Sequence, residues 1–145
     1  MENKVAIGCD HGGIELKLEL IEHLKSLGKT PIDVGCHKED GSVDYPDYAR
    51  AICKEVTAGN CKCGIAVCGS GIGISIAANK VSGIRCALLH DHYGAHMCRQ
   101  HNNANVMALG GRVTGVEVAK EIVTTFLQTE FEGGRHQRRV DKIEQ

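Results

Sequence analysis

Gly69-Ser70-Gly71-Ile72-Gly73 follows directly on the apolar run Gly64-Ile65-Ala66-Val67-Cys68 and leads into a segment with helical spacing. Backbone N–H groups at such a strand-to-helix turn can line a site for an anion. The loop is not the dinucleotide fingerprint, whose third glycine position holds Ile74 here, and no Gly-Lys-Ser/Thr follows to make a P-loop. The plain alternative is a tight turn that needs glycine torsions. Cys68 ends the apolar run, where the amino end of the following helix would favour a thiolate. Read alone, the commoner fate of such a free cysteine is burial in the core. His101-Asn102-Asn103 precedes another apolar run, and histidine is the natural acid or base near neutral pH. The asparagines there serve equally well as caps. Arg135 and Arg139 stand four apart, so a helix would turn two guanidiniums to one face, for a phosphate or simply for water.

Two further clusters resemble metal ligands. Cys61-Lys62-Cys63 has CxC spacing and no second cysteine pair at zinc-ribbon distance. His90, His92, His96 and Cys98 lack the glutamate of an HExxH motif. Neither is assigned a metal, and a site in these clusters stands as the minority reading.

Short apolar runs alternate with helical stripes along the chain. Strands are predicted at Val5–Cys9, Pro31–Val34, Gly64–Cys68, Cys86–Leu89 and Asn105–Leu109. Helices are predicted from Ile14 to a stop at Gly28, through Tyr48, Ile52 and Val56, through Ala77-Ala78, from about Tyr93, and from Val116 to Leu127. A polar loop runs to Tyr45-Pro46, and Phe131–Gln145 is a charged tail with helical potential. This alternation predicts a three-layer α/β/α sandwich around a five-stranded parallel, Rossmann-like sheet, with a helical tail. Ligands bind such sheets beyond the carboxyl ends of the strands. Asp10-His11, the glycine loop, the His90–His92 turn and Gly110-Gly111-Arg112 should meet there.

At 145 residues, with 42% apolar and 24% charged residues, the chain reads as one folded domain over residues 1–145 and not as a disordered segment. A net charge of −1 excludes a general polyanion binder, and Glu130, Glu132 and Asp141 flank the basic tail, so nucleic acid is not expected. No apolar run approaches the roughly 20 residues of a membrane span. Met1-Glu2-Asn3-Lys4 leads straight into Val5 without a signal-peptide core. The eight cysteines therefore read as reduced thiols in the cytoplasm.

Five motifs together carry a resemblance. They are Gly8-Cys9-Asp10-His11-Gly12-Gly13, Val43-Asp44-Tyr45-Pro46, Cys68 through Lys80, Arg99-Gln100-His101-Asn102 and Glu132-Gly133-Gly134-Arg135-His136. In this order, over about Lys4 to Ile143, the chain resembles the family of ribose-5-phosphate isomerase B and the galactose-6-phosphate isomerase subunits. The resemblance implies a metal-independent aldose-ketose isomerase without a cofactor, working through an enediolate. Ribose 5-phosphate is the implied substrate, in the pentose phosphate pathway. Alternatives are allose 6-phosphate, galactose 6-phosphate, or a non-catalytic module that binds phosphosugars. Cys68 would be the base, with the amides of Gly69, Ser70, Gly71, Ile72 and Gly73 on the enediolate oxygen and Ser70 near the moving protons. His101, with Asp10 nearby, would open the furanose ring. Asn102 would hold sugar oxygens, His11, Arg112, Arg135 and Arg139 the phosphate, and Tyr45 would line the substrate. A homodimer or homotetramer with shared active sites is also implied. Three departures stand out: Ile74 replaces the glutamate base of the other branch, Ser70 stands where threonine is frequent, and Asn103 stands where aspartate is common.

Overall fold

The apolar run after Lys4 forms strand β1 (Lys4–Cys9), buried at every position beyond the first. Helix α1 (Ile14–Ser26) turns Leu16, Leu20 and Leu24 inward. It ends as predicted at Gly28, whose φ of 77° suits the left-handed cap. The Gly28 N–H donates to Lys25 O (3.0 Å) and the Lys29 N–H to Leu24 O (2.9 Å), a Schellman closure. There follow β2 (Thr30–Asp33), a single 3-10 turn at Lys38–Asp40 and α2 (Tyr45–Thr57). Tyr45-Pro46 is thus the first turn of α2 and not part of the loop before it, because proline costs little where no N–H is needed. Next come β3 (Cys63–Cys68), α3 (Ile72–Asn79), β4 (Cys86–Leu88) and α4 (His92–Gln100). The chain closes with β5 (Val106–Gly110), α5 (Val116–Gln128) and α6 (Arg135–Ile143), the helix expected in the charged tail. This computed structural model describes residues 2–145.

The five strands form one all-parallel sheet in the order β2-β1-β3-β5-β4. One core cluster joins the sheet to α1, α4 and α5 through Leu20, Leu24, Ala95, Ile122, Val123 and Phe126. A second packs α2 and α3 on the other face through Ala49, Ile52, Cys53, Ile74 and Ala78. The sheet grows from β1 to β2 on one side and to β3 on the other. A crevice therefore opens beyond the carboxyl ends of β1 and β3. No helix of the described residues is long and apolar enough to cross a membrane.

Lys17 is fully buried, a placement the helical stripe gave no reason to expect. Its Nζ meets Asp33 Oδ2 at 3.0 Å and donates to Cys36 O at 2.9 Å, so one cation pins α1 to β2 and to the loop beyond. Lys17→Ala strands a partly buried carboxylate, and the expected loss is about 3 kcal/mol, read as a lower urea midpoint at unchanged slope. The control is Asp47→Ala at the exposed Asp47–Arg50 pair, with an expected change below about 0.5 kcal/mol.

Candidate active site

The parallel register places Cys9 beside Val67, and the Asp10 N–H continues the ladder to Val67 O at 3.2 Å. Asp10 therefore stands next to Cys68 across neighbouring strands, which run about 4.8 Å apart. Both are nearly buried, at 7% and 4% exposure. Asp10 Oδ1 accepts the Gly12 N–H at 2.8 Å, which closes the turn into α1 and fixes the carboxylate.

Cys68 Sγ accepts the Gly71 N–H at 3.1 Å. That amide is held there by the αL cap of α3: Gly71 has φ 81°, and an added Cβ would stand 2.7 Å from Leu88 Cδ1. Only glycine fits the position. The sulfur thus sits against the amino end of α3, where the positive ends of the peptide dipoles gather. Burial pushes the other thiols up, to about 12 at Cys9 and Cys86 and about 11 at Cys53, Cys63 and Cys98, with Cys36 and Cys61 also raised. Six of those seven are buried, and Cys86 is half-buried. Ser70 Oγ accepts the Ile72 N–H at 3.1 Å, which leaves its own O–H available as a donor. Two of the loop amides read as oxyanion donors are thus used within the turn, which narrows that set to Gly69, Ser70 and Gly73.

Arg112 lies over the same loop. Its N–H donates to Gly69 O at 3.0 Å, and its Nη1 stands 3.1 Å from where a Gly69 Cβ would be. The Gly111 N–H donates to Cys68 O at 2.8 Å, which locks the turn after β5 to the end of β3. Tyr45 packs its ring on Gly73, where a Cβ would approach Cζ to 2.6 Å. His11 Nδ1 accepts the Val43 N–H at 3.1 Å. In the neutral ring this puts the proton on Nε2, a donor free to face an anion. A cleft of about 420 Å³ is lined by Asp10, Tyr45, Cys68, Gly69, Ser70, Gly73, Arg112 and Val113. It shares Arg112 with a hollow of about 690 Å³ that His11, His37 and Lys38 also line.

The remaining predicted site residues lie elsewhere. The segment after α4 binds the amino ends of the strands: the Gly64 N–H donates to Asn105 O and the Arg85 Nε to Asn103 O, each at 3.0 Å. Gly64 is four residues before Cys68 on β3, so this edge is about 13 Å from the sulfur along the strand. His101 and Asn102 belong to that edge. Within one chain Asp10 and His101 therefore lie at opposite edges of the sheet, because α4 carries the chain back down it. The tail joins them there. The Glu132 N–H donates to Gln100 O at 3.1 Å, and the His136 ring stacks on His101 with centroids 4.1 Å apart at 11°. Arg135 and Arg139 follow, exposed, on α6. His136 itself is 4% exposed, and burial, then the charges of His101 and Arg135, hold its imidazole below the usual range. Nothing in the sequence around His136, one residue after Arg135, signals this stack.

The three departures find places. Asn103 adopts φ 48°, which asparagine tolerates, and its Oδ1 accepts from Arg99 Nη1 at 3.1 Å. It faces Arg99 and not His101. Ile74 is fully buried among the α2 and α3 core residues, and the Ser70 hydroxyl is held by its own turn. The His92–His96 rings sit 6.1 Å apart, Cys98 donates to Ala95 O, and neither cluster from the minority reading gathers three ligand atoms among the described residues.

A sequence model of the ribose/galactose isomerase family matches residues 5–143. The ribose-5-phosphate isomerase B of Escherichia coli is 48% identical over 140 residues, covering 97% of this chain and 93% of that protein. A D-erythrulose-4-phosphate isomerase of Pectobacterium atrosepticum is 44% identical over 139 residues, with 96% and 91% covered. The solved structure of Clostridium thermocellum ribose-5-phosphate isomerase B superposes with a TM-score of 0.95 at 52% identity, over 97% of this chain and 95% of that one.

Proposed function

The chain belongs to the ribose/galactose isomerase family, and from that membership we propose that it interconverts ribose 5-phosphate and ribulose 5-phosphate with Cys68 as the base. The observation that carries the residue assignment is the Gly71 N–H on Cys68 Sγ, beside Asp10 at the mouth of the cleft. The thiolate takes the proton from C2 of the open aldose, and the electron pair moves into a C1=C2 enediolate. The amides of Gly69, Ser70 and Gly73 meet the charge on O1, the kind of fixed donor that dominates such reactions. The Ser70 hydroxyl carries the proton between O2 and O1. The Cys68 thiol then returns its proton to C1, which leaves a carbonyl at C2 and regenerates the thiolate.

Phosphate is placed by the His11 Nε2–H and Arg112 of this chain. Arg135 and Arg139, with His101 as ring-opening acid and Asn102 on the sugar oxygens, come from a second copy. A homodimer with shared sites accounts for their position on the far edge of the sheet. It also gives Ile72 and Ile76, four apart on α3 and 52% and 57% exposed, a surface to cover beside the cleft. In this arrangement Asp10 of one copy and His101 of the other act on the same ring.

The test is steady-state isomerisation of ribose 5-phosphate by reduced, EDTA-treated protein. Turnover in chelator is expected. Turnover of only allose 6-phosphate, galactose 6-phosphate or erythrulose 4-phosphate would keep the mechanism and change the substrate; the Pectobacterium relative makes the four-carbon sugar a necessary comparison. No turnover of any would leave a phosphosugar-binding module. Arg139→Ala should raise KM about 10–100-fold at nearly constant kcat, the loss of about 1.5–3 kcal/mol of charge-assisted bonding to phosphate. An unchanged KM would return α6 to a solvated face. Gly73→Ala should displace the half-exposed Tyr45 ring and lower kcat/KM about tenfold without lowering the melting temperature, since the ring can move outward.

A further inference from the structure

His136 Nε2 is buried and has no hydrogen-bond partner, although Glu132 Oε1 lies 3.4 Å away. A buried nitrogen left in that state is uncommon and calls for a partner. The His101 ring is stacked against it, and one ligand atom from each of His101, Glu132 and His136 lies within 4.8 Å of the others. Two imidazoles and a carboxylate are the donor set of open, three-residue zinc sites. We propose that His101, Glu132 and His136 bind a borderline divalent transition-metal ion, of the zinc or cobalt class, and that the filled site is inhibitory.

The geometry needs a modest closure. Tetrahedral zinc at about 2.0–2.1 Å from each ligand spaces them by roughly 3.4 Å; Glu132 Oε1 already stands 3.4 Å from His136 Nε2, so the closure falls on the His101 nitrogen, which lies within 4.8 Å of both. His136 is held in place by burial, whereas Glu132 is exposed and His101 half-buried, so these two can move. The parallel stack opens as the His101 ring tilts, and water completes the fourth position. Arg135 and Arg139, on the same helix as His136, oppose a bound cation, which makes the site reversible and not structural. The ion is no cofactor, since it would occupy the histidine assigned to ring opening. That inhibitory arm rests on the isomerase reading; the binding arm does not.

Cobalt titration of the intact, reduced protein reads the site directly. One equivalent per chain with the visible bands of four-coordinate cobalt is expected, weakened at least tenfold by Glu132→Ala and by His136→Asn. Glu132 carries no step of the reaction, so Glu132→Ala should keep basal turnover of ribose 5-phosphate and lose inhibition by zinc, which EDTA reverses in the parent protein. No bands at millimolar cobalt, or bands indifferent to Glu132→Ala, would overturn the site. So would an intense near-ultraviolet thiolate charge-transfer band, which would assign the ion to the cysteines. Cobalt bands with full activity would instead keep the site and overturn the role given to His101. Inactive protein with those bands would separate failure of the isomerase reading from that of the metal site.

Discussion

Cys68→Ala is expected to lower kcat for ribose 5-phosphate by about a thousandfold or more while KM changes by less than about threefold, the signature of a lost general base. The substitution removes one sulfur and keeps the Cβ, so β3 and the glycine loop should persist. The freed Gly71 N–H can turn to water at the cleft mouth. Phosphate-sugar binding, followed by calorimetry, should survive, because Arg112 and His11 are anchored through Gly69 O and the Val43 N–H and not through the thiol. Cys68→Ser should fall nearly as far, since a hydroxyl in the same place keeps the hydrogen bond but ionises far less readily. A kcat within tenfold of the parent would remove Cys68 as base. No other cysteine could then take over, since the remaining seven thiols are pushed up by burial and lie away from the cleft lining.

Mixing two inactive proteins should restore activity. Cys68→Ala spoils the carboxyl edge of the sheet, and His101→Ala spoils the amino edge. If each site takes one edge from each of two copies, a mixed dimer has one site with both defects and one with neither. Random reassortment makes half of the dimers mixed, so about a quarter of the parent activity should return. Parents dialysed together out of mild denaturant, against each refolded alone, supply the comparison. Continued inactivity of a mixture shown by mass to contain heterodimers would mean that His101 does not serve the Cys68 of a second copy. The recovery is large because it starts from two near-zero values.

Much of this was legible in order along the chain. Buried strands flanked by glycine turns were readable because a doubly covered parallel sheet needs continuous apolar runs, as in Val5–Cys9 and Gly64–Cys68. Their boundaries moved by a residue or two, and α2 started earlier because Pro46 opens a helix as readily as it ends a loop. The Asp10, Cys68 and Arg112 grouping followed from the rule that the carboxyl ends of parallel strands share an edge. Lys17 was not legible: a lysine on a helical stripe reads as solvated until Asp33 and the Cys36 carbonyl are seen to surround it.

By itself the sequence determined the element order, the parallel sheet, the glycine turn after Cys68 and, through five motifs, the family. These are local or near-local properties, carried by hydrophobic period and by residue types that tight turns demand. Only the tertiary structure decided which strands are neighbours, with β5 between β3 and β4, and hence which side chains meet. It gave the Gly71 amide to the sulfur, stacked His136 on His101 and set that stack on the opposite edge. Such contacts depend on strand order and helix direction, because a helix returning antiparallel to its strand carries its last residues to the far end of the sheet. Spacing along the chain cannot encode that.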